Sequence, residues 1–302
     1  MDQAPLNEHS HPRVFRSNHY VYPVLSRRAG GISVGINLNP DKACNFECIY
    51  CQVDRSKQPD VDFVALPKLL DELKLVLAGL APDGALWREP EFHALPPEKA
   101  KVTDIAFSGD GEPTAFKNFS EVVRGCVEIK EQLGFAGAKV LLITNASGLH
   151  RPDVRRGLAV MDQHRGEVWA KLDAGTPGYF ALISGTQFPF PKILNNILHC
   201  ARERETVIQS CFVRIKGKGP SFEQVSAYLA RLKEIVKGGG KIKLVQVHTI
   251  ARDPAYSIVS SLPDRDVDAI AERIKKEAKL PAVAFYGDVP EGRGVMGEEP
   301  KA

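Results

Sequence analysis

An alternation of short apolar runs with amphipathic stretches restricts this chain more than any other feature. Residues 30–38, 102–107, 139–143, 167–172, 207–213 and 243–248 are short, rich in apolar side chains and bounded by glycine, proline or polar residues, as buried strands are. Between them, residues 67–80, 119–133, 153–161, 191–204, 222–236 and 264–278 read as helices. In the first of these, Leu69, Leu70, Leu73, Val76, Leu77 and Leu80 form the stripe, and Pro67 suits the first turn. Gly134 and Gly238-Gly239-Gly240 end two of the others. Strands that alternate with helices build parallel β-α units with right-handed crossovers, an α/β fold. Residues 282–285 can add a short extra strand, and residues 81–101, with prolines at 82, 90, 96 and 97, read as an exposed loop.

The 302 residues, 43% hydrophobic and 25% charged, are ordinary for a soluble globular chain and suffice for one large α/β barrel. A net charge of +3 lacks the strong basic surface of a dedicated nucleic-acid binder. No apolar run is long enough to span a bilayer and the polar start carries no signal-peptide pattern, so the expected location is cytoplasmic, with no membrane partner. A reduced compartment makes disulfides unexpected, and Cys126, Cys200 and Cys211, lying singly in strand- or helix-like segments, read as core. The expected organisation is an irregular N-terminal arm over 1–29, with His9, His11, His19 and arginines at 13, 16, 27 and 28, then one barrel over 30–286 and a loose tail over 287–302. No internal repeat or second domain is visible.

Directly after the first strand stand Cys44, Cys48 and Cys51, spaced by three and then two residues. Thiolates are soft ligands suited to zinc or an iron-sulfur cluster. A closed zinc site wants four ligands, and a cubane cluster has four iron corners. Three close thiolates therefore leave one position for a distant residue, a substrate or a cofactor. A zinc loop and unliganded core thiols are the competing readings.

The spacing Cys44-x-x-x-Cys48-x-x-Cys51, with Tyr50 before the third cysteine, resembles the signature of the radical S-adenosylmethionine (radical SAM) superfamily. The resemblance implies a [4Fe-4S] cluster on the three thiolates, with SAM on the open iron. It implies reductive cleavage of SAM to a 5'-deoxyadenosyl radical that abstracts hydrogen from a substrate, the electron coming from a donor such as flavodoxin or ferredoxin. It also implies a fold: an open six-stranded partial (β/α)6 TIM-type barrel of parallel strands. By the same resemblance Tyr50 packs near the adenine. No cysteine follows residue 211, so an all-cysteine second cluster on a C-terminal extension is not expected.

In β/α barrels the chemistry sits at the C-terminal ends of the strands. After the second strand come Gly109, Asp110, Gly111, Glu112 and Pro113, a simple turn or, by resemblance to the family's Gly-Gly-Glu-Pro element, a seat for the SAM amino group. Asp110 replaces the first of the paired glycines. Thr144 and Asn145 end the third strand as turn residues or as SAM contacts. Lys171 and Asp173 follow the fourth and share a face, as a salt-bridged pair or as contacts to SAM or substrate. Arg214 follows the fifth, either on the surface or clamping the SAM carboxylate. Gln246 and His248 alternate at the end of the sixth, which places them as substrate contacts together with Lys171. Gly217-Lys218-Gly219 lacks Walker spacing and is not a nucleotide loop.

Asn39-Pro40, the 107–114 stretch, Thr144-Asn145-Ala146-Ser147, Lys171-Leu172-Asp173-Ala174 and Gln246-Val247-His248-Thr249 are most similar to the group of radical SAM proteins related to wyosine synthases. Archaeal members carry cysteines for a second cluster before the triad, and residues 1–43 have none. A tRNA, a peptide or protein, and a small metabolite therefore all stand as substrate classes, with a noncatalytic metal-binding regulatory protein as the reading from another class. No catalytic acid or base is identified.

Overall fold

The computed structural model describes residues 6–7, 13, 15–56, 58–59, 61–295 and 297. His9 and His11 of the expected arm and the last five residues of the expected tail lie outside them. The chain forms two compact units that interleave in sequence. The first takes in the N-terminal region to Ala43, Pro59–Ile143 and Arg151–Glu167; the second takes in Cys44–Gln58, Thr144–His150 and everything from Val168. Neither unit is a continuous stretch of the sequence.

The first unit begins with an antiparallel hairpin of β1 (Val21–Ser26) and β2 (Gly31–Ile36), Val21 standing opposite Ile36. The irregular arm expected over 1–29 is corrected here: its last part is a strand. Pro23 hides this strand in the sequence, because proline cannot donate to a ladder and is tolerated at an edge. What holds the segment is Glu72, buried on helix α1 (Leu66–Gly79), whose carboxylate accepts the amides of His19, Tyr20 and Val21 at 3.0, 2.8 and 3.1 Å. Leu69, Leu73 and Leu77 of α1 are fully buried, each contributing about 1.5–3 kcal/mol relative to exposure.

Residues 81–101 differ from the exposed loop expected: a 3-10 turn at Ala85–Arg88 and the short helix α2 (Pro90–His93) bury Leu86, Phe92 and Leu95. Parallel strands β3 (Val102–Phe107) and β4 (Lys139–Thr144) follow β2, with Ala106 opposite both Gly35 and Leu141. Helices α3 (Phe119–Gln132) and α4 (Pro152–Asp162) pack on each other, and Phe119 meets Phe107 edge-on at 5.5 Å.

In the second unit, which takes β5 (Gly166–Lys171) from Val168 on, that strand, β6 (Thr206–Cys211), β8 (Ile242–His248) and β10 (Ala282–Phe285) lie parallel in that order. Their register places Lys171 opposite Gln209 and Gln209 opposite Gln246. Helices α5 (Pro177–Ser184), α6 (Phe190–Glu203), α7 (Phe222–Lys237) and α8 (Asp264–Arg273) connect them. A reciprocal Ser221–Gln224 box starts α7. A separate antiparallel ribbon joins β7 (Val213–Ile215) to β9 (Val259–Ser261).

Helix α5 is absent from the sequence reading. Its eight residues are too few to display a period; the cap at Thr176, Pro177 in the first turn and the left-handed Gly185 mark its ends. The stretch expected as a loose tail is tied down: Val289 is buried, and its carbonyl accepts the Ser261 amide at 2.9 Å. All six expected parallel strands are present as β2, β3, β4, β5, β6 and β8. Hairpin strand β1 and the short β10 raise the count beyond six, four belonging to the main sheet of each unit. Among the described residues no helix is long and apolar enough to cross a membrane.

Candidate cofactor site

The cysteine loop opens the second unit, and its apolar side chains explain its shape. Phe46, Ile49 and Tyr50 are buried, whereas Cys44, Cys48 and Cys51 are half-buried. Phe46 meets Phe180 of α5 edge-on at 5.8 Å. The end of α5 supports the loop backbone: the amides of Glu47 and Ile49 donate to the carbonyls of Ser184 and Ile183 at 3.1 and 3.0 Å. Gly185 lies so close to the Glu47 carbonyl that a Cβ there would collide with it. Beneath, Ile49 and Tyr50 join Ile183, Cys211, Val213, Ile250 and Val259 in one apolar cluster, with Cys48 and Cys51 packed on its edge. The three cysteines read as core are buried, and Cys211 belongs to this floor.

Tyr50 donates its hydroxyl to Asp173 Oδ2 at 2.5 Å, and the amide of Cys211 donates to Asp173 Oδ1 at 2.7 Å. Asp173 thus ties the cysteine loop to the ends of β5 and β6. Burial pushes the Asp173 carboxyl above its usual range, against the pull of these two donors and of Lys171. Burial, followed by the Asp173 charge, also raises Tyr50 well above the ordinary phenol.

Desolvation of its sulfur pushes Cys48 up to about 12; Lys171 pulls it down, and Cys51, Asp173 and Cys44 push it further up. Cys48 is therefore within electrostatic reach of both of the other sulfurs. Among the described residues no three His, Cys, Asp or Glu side chains form a ready-made metal shell. The donor set nevertheless fits a cluster: three soft ligands on one anchored, partly exposed loop, with binding required to displace their protons.

On the opposite flank, a ring of hydrogen bonds joins the loop to the turn after β4. Asn145 Nδ2 donates to Asn45 Oδ1 at 2.8 Å, Asn45 Nδ2 to Ser147 Oγ at 2.8 Å, and Ser147 Oγ back to Asn145 Oδ1 at 2.6 Å. Thr144 Oγ1 accepts the Ala146 amide at 3.0 Å, which helps hold Ala146 at a φ of 66°. Asn196 of α6 caps the same turn by donating to the Ala146 carbonyl at 2.8 Å. Asn45 and Asn196 carry no signal in the sequence, because each is an ordinary turn or helix residue there.

Lys171, Gln209 and Gln246 form a row across three adjacent strands, Gln209 Nε2 donating to Gln246 Oε1 at 3.2 Å; His248, opposite Cys211, is also buried. Gln209 was missed and period-two counting would have found it. Arg214 stands apart, half-buried on ribbon strand β7 with Nη2 3.9 Å from Asp266 Oδ2.

Gly109–Pro113 belongs to the first unit. Gly109 lies against Asn37, and Gly111 against Asn39 and the Ala43 carbonyl, so a Cβ would collide at either. Asp110, the residue in place of a glycine, accepts Asn37 Nδ2 at 2.7 Å and pairs with Arg13 at 3.3 Å. Glu112 is buried and caps the turn at Pro113, its Oε1 accepting from the amide and hydroxyl of Thr114 at 3.1 and 2.6 Å.

Comparison with known proteins adds the fold. No protein-family model matches the chain. A UPF0026 protein of Helicobacter pylori is 27% identical over 241 residues, 78% of this chain and 67% of that protein. A Brachyspira hyodysenteriae protein named GTPase Obg is 26% identical over 270 residues; they make up 87% of this chain but 34% of the relative, so the chain spans about a third of its length. Among solved structures, a radical SAM methyltransferase from Sphaerobacter thermophilus superposes with a TM-score of 0.57 over 87% of this chain and 68% of its own, at 13% identity. The chain shares the fold of that methyltransferase. TYW1 with a lysine-pyruvate adduct bound aligns with a TM-score of 0.47, at 16% identity, over 82% of this chain and 74% of that one. The α/β class of parallel strands alternating with helices expected from the sequence is the class found, with more strands than the six anticipated.

Proposed function

We propose that the protein is a radical SAM enzyme. Cys44, Cys48 and Cys51 would hold a [4Fe-4S] cluster with SAM on its open iron. The observation that carries the reading is the anchored triad: three thiols on one loop clasped by Tyr50–Asp173 and by the Asn45–Asn145–Ser147 ring, in a chain with this fold. When bound, cluster and SAM supply reductive cleavage of the sulfonium and hydrogen abstraction by a 5'-deoxyadenosyl radical.

The protein's own part is placement and exclusion of water. Asp173 holds the loop at the strand ends, and the apolar floor under Cys48 and Cys51 keeps solvent from that side. Gly109, Gly111 and Glu112 supply backbone and carboxylate for the SAM amino group, and Thr144 and Asn145 its polar contacts. Lys171, Gln246 and His248 are assigned to substrate, with Gln209 standing between Lys171 and Gln246 in their row. Arg214 is the weakest member of the SAM set, since it faces Asp266.

A flavodoxin- or ferredoxin-type protein would deliver the electron. Wyosine-like modification of a tRNA base, modification of a peptide and turnover of a small metabolite are the substrate classes to screen. GTP is outside this reading, because Gly217-Lys218-Gly219 lies in the tight turn after β7 and lacks Walker spacing.

The test is anaerobic reconstitution with iron and sulfide, incubation with SAM and a strong reductant, and mass spectrometry for 5'-deoxyadenosine. Its formation in the wild type and loss in Cys48→Ala is the expected result. Stoichiometric zinc with no iron uptake and no SAM binding would instead identify a noncatalytic metal-binding protein.

A further inference from the structure

Arg55 lies four residues beyond the last cysteine of the triad, and neither the motif nor the strand-end pattern points to it. Its Nη1 donates to Cys51 Sγ at 3.1 Å. The side chain is half-buried, and its charge acts on all three thiols, on Cys51 most strongly.

The segment that carries Arg55 is held from both sides. Gln52 is clasped by Arg252, whose Nε donates to Gln52 Oε1 at 2.7 Å while Gln52 Nε2 donates to the Arg252 carbonyl at 3.2 Å. Val53 is buried. Asp54 Oδ1 then accepts the amide and hydroxyl of Ser56 at 2.9 and 2.5 Å, closing a turn around Arg55. The guanidinium is thereby presented to the sulfur on a short, anchored tether.

We infer that Arg55 is a positioning residue that sets the reduction potential of the cluster through its charged hydrogen bond to Cys51. The inference rests on the radical SAM reading. Reduction adds one electron from a low-potential one-electron donor to the oxidised cluster and transfers no proton. The reduced form carries one more negative charge on iron, sulfide and thiolate. A fixed cation donating to a ligand sulfur stabilises that form more than the oxidised one, and hydrogen bonds to the sulfurs are among the factors that set such potentials. Arg55 therefore raises the potential and eases the electron transfer that precedes SAM cleavage.

The experiment compares wild type, Arg55→Lys and Arg55→Gln after anaerobic reconstitution. Iron and sulfide content are assayed first, then the midpoint potential by dithionite titration followed by electron paramagnetic resonance. With equal cluster content, Arg55→Gln should lower the reduction equilibrium constant about tenfold, equivalent to about 59 mV for one electron. Arg55→Lys, which keeps the charge and a donor, should fall between it and the wild type. An unchanged or raised potential in a fully loaded Arg55→Gln protein overturns the inference and leaves the radical SAM reading intact. Loss of the cluster from both variants makes Arg55 a residue of loop folding and also overturns the inference. A wild type that takes up zinc and no iron overturns the reading beneath it.

Discussion

The hydroxyl of Tyr50 and the carboxylate of Asp173 meet at 2.5 Å although 123 residues separate them in the chain. The bond closes the cysteine loop onto the end of β5, and the second oxygen of Asp173 holds the amide of Cys211. Tyr50→Phe leaves Asp173 Oδ2 buried without its donor and should cost about 1–3 kcal/mol in urea unfolding. Asp173→Ala strands both donors and should cost more. Both variants should retain less iron per chain after reconstitution; full iron retention by Asp173→Ala would refute the latch.

Cluster binding should be visible in stability as well as in absorbance. A group that binds only the folded chain raises the unfolding midpoint. Reconstitution should therefore raise the thermal midpoint of the wild type, and Cys48→Ala should abolish both the rise and the iron-sulfur absorbance. Cys126→Ala, a change in the buried core of α3, should lower stability yet keep iron content unchanged. Equal iron loss in the two variants would contradict the assignment of the triad.

Gly111 has no room for a side chain: a Cβ would meet the Ala43 carbonyl and come within 2.6 Å of Asn39 Cγ. Gly111→Ala should destabilise the protein by about 1–3 kcal/mol through overpacking and weaken SAM binding measured by calorimetry. Gly137 is the control, since a methyl group there would have open space for 4 Å around it. Gly137→Ala should stay within about 0.5 kcal/mol of the wild type and bind SAM normally.

Asp104 gives a pH signature. It is buried between Ser33 Oγ at 2.5 Å and Thr103 Oγ1 at 2.9 Å, and burial outweighs these donors and Lys139 to raise its pKa. A carboxyl with a raised folded pKa contributes stability that is full below its unfolded value and lost as pH rises through the folded one. The stability of Asp104→Asn relative to wild type should therefore increase with pH from the unfolded carboxylate range upward. Urea unfolding at a series of pH values checks this, and a decreasing difference would contradict it.

Much of the fold was legible because helices and buried strands repeat their apolar residues at short spacing, and every expected parallel strand has its counterpart. The exceptions have local causes. Pro23 masks β1, α5 is too short for a period, and the buried Leu86, Phe92 and Leu95 sit among the prolines and charges of residues 81–101. The thiol triad is a matter of local spacing, since its three cysteines lie within eight residues of one another.

What holds the triad was not legible. Asp173, Asn145 and Ser147 are near the loop only because parallel crossovers return each strand end to the same side, and Asp104 meets Ser33 for the same reason. Asp173 could be named from the sequence as a polar residue at a strand end, but its partners Tyr50 and Cys211 could not. The order of elements and the identity of the thiol donors reside in local spacing, which the chain carries before it folds. Which carboxylate anchors the loop, which guanidinium faces Cys51 and which surfaces are buried depend on groups far apart in the chain, and packing in three dimensions is what brings them together.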